Sequence, residues 1–317
     1  MSELRWHPLL REWVSVAAAR QNRPQMPKDW CPFCPGLGKV PTHYDTLLYS
    51  NDFAAFSPSH PPFEDVPGLF AKTGGRGACD VVLYHPDHNL TPSAMPADHW
   101  AKVVELWRER TDQLFANPDI AYLHIFENAG EAIGVTMPHP HGQIYALPMV
   151  PPLVQRELDS ARTHMECESE CLYCRLLAEE LTAQKRIVVG TERFVAFAPF
   201  HARWPGEMQI YPRRHAESLP DLNVAEREEL GRVIKAVRMK YDNLWGFPIP
   251  LMMMVRQRPA RGEHPYFHFH IEFFPIQRSR EKIKYLAGVE SGTGLFLNDT
   301  VAEEKAAELR NAEPTSI

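Results

Sequence analysis

The stretch Pro138-His139-Pro140-His141-Gly142-Gln143 places two imidazoles and an amide at every second residue. Side chains at that period share a face of a strand, so a strand here would aim His139, His141 and Gln143 into one site. Imidazole serves as metal ligand, base or nucleophile. An amide can hold a phosphoryl oxygen but does not titrate. The alternative is a histidine-rich surface loop held by two prolines, and the sequence on either side bears on which reading stands.

Working outward from this run, the chain is written twice. The first half carries Cys31-Pro-Phe-Cys34, then Asn51-Asp-Phe-Ala-Ala-Phe56, an apolar run over 81–84, Pro86-Asp-His88, a helix-like stretch over 96–115, a β-rich run over 120–126, and the His139/His141 pair. The second half carries Cys171-Leu-Tyr-Cys174, Glu192-Arg-Phe-Val-Ala-Phe197, an apolar run over 208–211, Pro212-Arg-Arg-His215, a helix-like stretch over 223–244, an apolar run over 250–255, and His268-Phe-His270-Ile-Glu272. The step from lone His to His pair is 51 residues (139 − 88) in one half and 53 (268 − 215) in the other, the regularity expected of a duplicated unit. In the first half, 51–56 with its neighbours, 81–84, 122–126 and 143–146 read as strands, and 105–115, charged on one side and apolar on the other, reads as a helix lying on them. These features predict an α+β fold with helices packed on a mostly antiparallel sheet. They divide the chain into two similar halves, 1–150 and 151–317; the second has no Gly beside its His pair and no clear counterpart of Asn128, so the first is expected to be catalytic and the second non-catalytic. Pro151-Pro152 marks the break between them, and a helix is predicted over 154–164.

The cysteines fit the same duplication. Two Cys-x-x-Cys pairs account for four of the six, and neither sits in the βαβ setting of a thioredoxin-like redox pair. Joined to histidines they form two tetrahedral zinc sets. The first is Cys31, Cys34, His88 and His139; the second is Cys171, Cys174, His215 and His268. Four protein ligands leave no open position, so both zincs would be structural. Zinc at His139 would anchor the segment that carries His141.

Composition narrows the function. At 317 residues, 44% hydrophobic and 23% charged, the chain reads as an ordinary soluble protein of about two domains. A net charge of −6 without an extended basic run argues against a nucleic-acid partner; an anionic small substrate would need a local basic pocket. The opening Met1-Ser-Glu-Leu-Arg-Trp lacks an apolar signal region, and the most apolar stretch, around 249–255, is too short to span a bilayer. No membrane partner and a cytoplasmic location are expected.

The residues now on the page are similar to those of a known family. Phe126-Glu-Asn128-Ala-Gly130 through Gly134 to His139-Pro-His141-Gly-Gln143, the opening Arg5-Trp-His-Pro-Leu with Arg20 and Arg23-Pro24, Cys31-Pro-Phe-Cys34-Pro-Gly36, Pro86-Asp-His88 and Lys284-Tyr-Leu-Ala-Gly-Val-Glu290 resemble the galactose-1-phosphate uridylyltransferases of the histidine-triad superfamily. The resemblance implies that His141 attacks the α-phosphorus of UDP-glucose. The UMP would then pass from a uridylyl-histidine to galactose-1-phosphate, with Gln143 holding the phosphoryl group. It implies ribose and base contacts at Asn51 and Asp52, and phosphate contacts at Asn128, Gly134, Thr136, Arg20 and Arg23. It also implies a sugar end at Lys284 and Glu290 that is completed in a homodimer. Glu157 matches a carboxylate that some members use, with three histidines, for a second metal; one of those histidines has no match, and the second Cys-x-x-Cys points to a duplicated zinc site instead. Histidine-triad hydrolases carry a third His where Gln143 stands. Two other readings use the same residues: a phosphorylase acting on ADP-sugars or dinucleoside polyphosphates, and a zinc-stabilised nucleotide-binding protein without activity.

Overall fold

The computed structural model describes residues 2–22, 30–58, 63–135 and 137–313. Its first half contains β1 (Glu3–His7), β2 (Glu12–Val16), β3 (Leu47–Ser50), β4 (Lys72–Gly74), β5 (Ala78–Leu83), α1 (Ala97–Phe115), β6 (Tyr122–Ala129) and β7 (His141–Leu147). The remainder contains α2 (Pro152–Glu168), α3 (Leu172–Ala183), β8 (Ile187–Gly190), β9 (Phe194–Phe197), β10 (Met208–Pro212), α4 (Val224–Trp245), β11 (Leu251–Arg256), β12 (His270–Pro275), a short β13–β14 ribbon (Gln277–Ser279 and Lys282–Ile283), α5 (Gly288–Thr293) and α6 (Ala302–Asn311). The expected α+β class holds. Among the described residues no helix is long and apolar enough to cross a membrane.

One nine-stranded antiparallel sheet, ordered β3-β5-β7-β6-β11-β12-β10-β9-β8, runs through both halves. The two copies meet at its centre, where Phe126 of β6 pairs with Met254 of β11. Gln143 pairs with Phe126 on one side and Glu272 with Met254 on the other. Gln143, Phe126, Met254 and Glu272 therefore form one row on one face, symmetric about its middle. A residue and its partner across an antiparallel ladder share a face, so this register places the two histidine strands in equivalent positions.

The other face is covered by α1 and α4. In α1 the buried positions His99, Trp100, Val103, Val104, Trp107, Thr111 and Leu114 recur at helical spacing; fully burying a large apolar side chain of this kind contributes about 2–3 kcal/mol. Gly231 of α4 lets the helices approach closely, since a Cβ there would lie 2.7 Å from the Ala101 backbone nitrogen. Helix α4 is begun by Asn223, whose side chain accepts from the Glu226 N–H at 3.0 Å, and ended by Gly246 in the left-handed region; both are strong helix boundaries.

Three expectations need correction. The strand begins at His141, so His139 lies in the bend before it and the two imidazoles do not share a strand face. The strand expected over 51–56 lies instead at Leu47–Ser50, because the Asn51 side chain accepts from the Phe53 N–H at 2.9 Å and turns the chain. Helix α2 is longer than 154–164. The small sheet β2-β1-β4 was not foreseen.

Candidate functional site

His141 opens β7, opposite Leu83 of β5. Its Nδ1 lies 2.7 Å from the His139 carbonyl oxygen. A carbonyl only accepts, so Nδ1 carries the hydrogen and, in the neutral ring, Nε2 keeps its lone pair. The half-buried side chain of His141 lines a cavity of about 1280 Å³ together with Asn128, Gly134 and His88. That exceeds the ~300–1000 Å³ of ordinary small-ligand sites. Gln143 and Tyr145 follow on the same face at period 2, and Arg20 Nη1 donates to the Tyr145 hydroxyl oxygen at 3.2 Å.

His139 borders the same cavity but is 1% exposed. Its Nε2 donates to the His85 carbonyl at 2.8 Å, leaving the Nδ1 lone pair 3.8 Å from Cys31 Sγ and 4.0 Å from Cys34 Sγ. Burial pushes the His139 ring down to about 4, so it is neutral near pH 7. His88 completes the group, and all four ligand atoms lie within 4.8 Å of one another. The second group, Cys171, Cys174, His215 and His268, meets the same limit; Cys174 Sγ is 3.3 Å from Nδ1 of both His215 and His268. Tetrahedral bonds to sulfur and imidazole nitrogen place those atoms about 3.6 Å apart, which both groups approximate. Burial pushes the Cys31 thiol up to about 11, so a positive ion is what would hold it as a thiolate. The outer bonds repeat as well: His268 Nε2 faces the Pro212 carbonyl at 3.2 Å, three residues before His215, as His85 stands three before His88. Both sets can therefore hold a metal ion.

The cysteine loop also reaches His141. The Phe33 ring lies 6.1 Å from the His139 ring and 5.6 Å from the His141 ring. An ion on Cys31 and Cys34 would therefore bear on His141 through Phe33 as well as through the chain.

Other expected site residues are not brought to this cavity. Asn51 is engaged in its own turn, and Asp52 accepts from Lys39 and, at 2.6 Å, from the Tyr49 hydroxyl. Lys284 and Glu290 pair with each other at 2.8 Å, and Lys284 also donates to the Leu297 carbonyl at 2.5 Å; the ammonium beside it holds the Glu290 carboxyl at about 2. Arg23 and Thr136 lie outside the described residues.

The second half repeats the strand but closes it. His270 Nδ1 donates to the His268 carbonyl at 2.8 Å, yet the ring is 2% exposed and lies flat on Tyr211 (4.8 Å, 10°). Glu272 stands where Gln143 stands and accepts from Arg256 Nε at 2.6 Å. Burial pushes the Glu272 carboxyl up, but the Arg256 guanidinium outweighs it and holds the group below its ordinary range. Arg256 also lies 3.7 Å from Glu157, whose carboxyl burial pushes up to about 7. Glu157 thus faces a guanidinium, and neither metal-ligating group includes it. Arg256 escaped the sequence reading because one cation at the end of an apolar run, Leu-Met-Met-Met-Val-Arg, reads as a strand's polar boundary.

Fold and site together define a duplicated antiparallel-sheet protein with two Cys2His2 groups, in which one copy opens its strand histidine on a large cavity and the other buries it. The chain belongs to the galactose-1-phosphate uridyl transferase family, a family of transferases: the family's N-terminal domain matches residues 1–151 and its C-terminal domain residues 157–315. A galactose-1-phosphate uridylyltransferase of Thermotoga maritima is 41% identical over 317 residues, 99% of each chain. A solved uridylyltransferase superposes with a TM-score of 0.91 at 33% identity, covering 98% of both chains. An ADP-glucose phosphorylase from Arabidopsis thaliana with bound ADP-glucose superposes with a TM-score of 0.75 at 25% identity, covering 98% of this chain and 99% of that one.

Proposed function

We propose that this chain transfers UMP from UDP-glucose to galactose-1-phosphate in two strokes through His141. The observation that carries the reading is the hydrogen bond from His141 Nδ1 to the His139 carbonyl, which fixes the neutral ring in the tautomer whose lone pair is on Nε2. In the first stroke Nε2 attacks the α-phosphorus, the bond to the glucose-1-phosphate oxygen breaks, and glucose-1-phosphate leaves with that electron pair. The positive charge that develops on the imidazole is stabilised by the carbonyl on Nδ1–H. In the second stroke a phosphate oxygen of galactose-1-phosphate attacks the same phosphorus and the P–N bond breaks, restoring His141. Sugar phosphate is a good leaving group, so no general acid is required. Gln143 donates amide hydrogen bonds to the transferred phosphoryl oxygens. An amide in this place suits an intermediate that waits for a phosphate acceptor.

Residues 1–150 act as the catalytic half and 151–317 as the non-catalytic half. Asn128, Gly134, Thr136, Arg20 and Arg23 attend the phosphates, the last two supplying basic charge that a −6 chain otherwise lacks. Asn51 and Asp52 are assigned ribose and base, and Lys284 and Glu290 the hexose in a homodimer; none of the four lines the His141 cavity in the single chain, so binding would have to draw Asp52 from Lys39 and Tyr49 and open the Lys284–Glu290 pair. Zinc is the ion assigned to both Cys2His2 groups. There it supplies structural rigidity only, tying the Cys31–Cys34 loop to the bend before His141. The cytoplasm is the assigned location.

The test is isotope exchange: UDP-glucose with labelled glucose-1-phosphate, alone and with ADP-glucose as competitor. Exchange on UDP-glucose that disappears in His141→Asn is expected. Exchange on ADP-glucose alone would sink this reading in favour of the second one, a phosphorylase with the same histidine chemistry, which the likeness to the ADP-glucose phosphorylase supports.

A further inference from the structure

Behind the strand that carries His141 lies a polar cluster that the transfer chemistry leaves unused. Strand β6 sends Leu123, Ile125 and Glu127 inward toward the helices, all of them buried. Glu127 is 2% exposed and meets Arg238 of α4, 4% exposed, with Oε1 and Nη1 3.1 Å apart. Beyond this ion pair, Glu127 Oε2, Arg238 Nε and the Tyr84 hydroxyl are buried with no well-aligned hydrogen bond, the phenol lying close enough to the Glu127 carboxylate to interact with it. Burial, and after it the Glu127 carboxylate, pushes Tyr84 well above the phenol range, so the group is a neutral O–H. Several orphaned polar atoms in one place are costly, and apolar side chains would fill the same space without that cost. Core stability alone does not account for them.

Gly142 gives the cluster a direction. A Cβ at Gly142 would stand 2.2 Å from the Tyr84 hydroxyl oxygen, 2.8 Å from its Cζ and 3.1 Å from the Phe126 carbonyl oxygen. Gly142 is absent from the glycines with positive φ, so it is contact and not backbone angle that demands glycine here. Tyr84 itself is wedged by Trp100 and Trp107, with ring centroids at 5.3 and 6.0 Å, and its N–H bonds the Pro140 carbonyl at 3.0 Å. The phenol cannot retreat, and the strand rests on it one residue beyond the histidine. Glu127 and Arg238 also border the cavity that His141 lines.

We propose that Tyr84, Glu127 and Arg238 form a positioning device for the nucleophile: the Tyr84 hydroxyl, oriented by the Glu127–Arg238 pair, is the seat on which Gly142 rests, and that seat fixes the height of the His141 imidazole over the cavity. The inference rests on His141 being the attacking group. None of the three residues touches the reacting atoms; they act through the backbone at Gly142. Displacing a reacting group by about 1 Å costs on the order of 100-fold in rate, so a seat of this kind acts on kcat and leaves KM nearly unchanged.

The experiment measures kcat, KM and melting temperature in four variants, together with the imidazole 15N signals of His141, which need no turnover. Gly142→Ala should lower kcat by about 100-fold with KM within about threefold. Tyr84→Leu added to Gly142→Ala makes room and should return at least about tenfold of that loss. Tyr84→Phe and Glu127→Gln, which keep the packing, should each lower kcat about fivefold and shift the His141 signals. Wild-type kcat in Gly142→Ala overturns the seat, as does a loss that Tyr84→Leu leaves in place. So does a fall in melting temperature in Tyr84→Phe and Glu127→Gln with kcat and signals unmoved. Were the wild type to show no exchange on either nucleotide sugar while the His141 signals still moved in Tyr84→Phe, the transfer reading would fall and the seat would stand.

Discussion

The two halves use one strand design to opposite ends. In both, a histidine two residues past the last histidine of a Cys2His2 group donates Nδ1–H to that residue's carbonyl, at 2.7 Å for His141 and 2.8 Å for His270. Two residues further on, the halves part: Gln143 is an uncharged, half-buried amide on the strand whose first residue lines the cavity, and Glu272 is a carboxylate locked to Arg256. The ring that faces the cavity is half-buried, whereas its twin is 2% exposed beneath Tyr211. One backbone arrangement therefore carries an open ring in one half and a closed one in the other. Exposure of the ring and the charge of the residue two places on distinguish the halves, and each can be altered separately.

The largest effect is expected from exchanging the histidines themselves. His141→Asn should lower exchange on UDP-glucose by at least about 10⁴-fold, as removal of a covalent nucleophile does, and His270→Asn should leave kcat within about threefold in the protein that remains folded. Equal losses measured in the two variants would break the contrast. Next, Gln143→Glu gives the first half the second half's charge beside the transferred phosphoryl group, and kcat should fall by about 10²–10³-fold. The reciprocal Glu272→Gln should spare kcat but lower stability to urea by about 3 kcal/mol, because it leaves Arg256 with only the more distant Glu157.

The metal groups are compared by Cys31→Ser and Cys171→Ser. Each should reduce bound zinc from about two ions per chain to about one by elemental analysis. The first should also lower kcat through Phe33 and the His139 bend, while the second lowers melting temperature alone. Loss of both zincs in either variant would show that the groups are not independent.

The smallest effect is on pH dependence. Burial pushes His270 down to about 4, below its unfolded value of about 6.5, so the fold favours the neutral ring. That contribution is complete above pH 6.5 and is lost as the pH falls from 6.5 toward 4, where the unfolded chain takes a proton that the folded chain refuses. Stability should decline over that window by about 3 kcal/mol, and less steeply in His270→Asn; an unchanged slope would place the titration elsewhere.

Much of this contrast was legible in the sequence because it depends on spacing. Two Cys-x-x-Cys pairs, each followed at similar distances by a lone His and a His-x-His, disclosed both Cys2His2 groups and the duplication. The α+β class followed from strand-length apolar runs around one long helix per half. What stayed hidden depends on pairing across distance. Nothing local announces that Lys72–Gly74 lies beside Glu3–His7. Asn51 reads as part of a strand until its side chain is seen to cap the turn. Glu127 did leave a signal, since it interrupts the inward alternation Leu123, Ile125, Glu127, but a charge in an apolar register cannot name its partner, and Arg238 is more than one hundred residues away in α4. Arg256 is the same case: its role comes from Glu157 and Glu272, which only the folded sheet brings together.

The central seam of the sheet carries a consequence for how the chain can be divided. β6 and β11 complete each other's ladders from Ala129 opposite Leu251 to Ile125 opposite Val255. Cutting the polypeptide in the segment before α2 and separating the pieces would expose an open edge on each, with Phe126 and three consecutive methionines, Met252 to Met254, laid bare beside unpaired N–H and C=O groups. Such an edge is a template for wrong partners. Each fragment would pair with itself or aggregate sooner than persist as a monomer, and fragments mixed together would have a ready way to find one another, strand edge to strand edge.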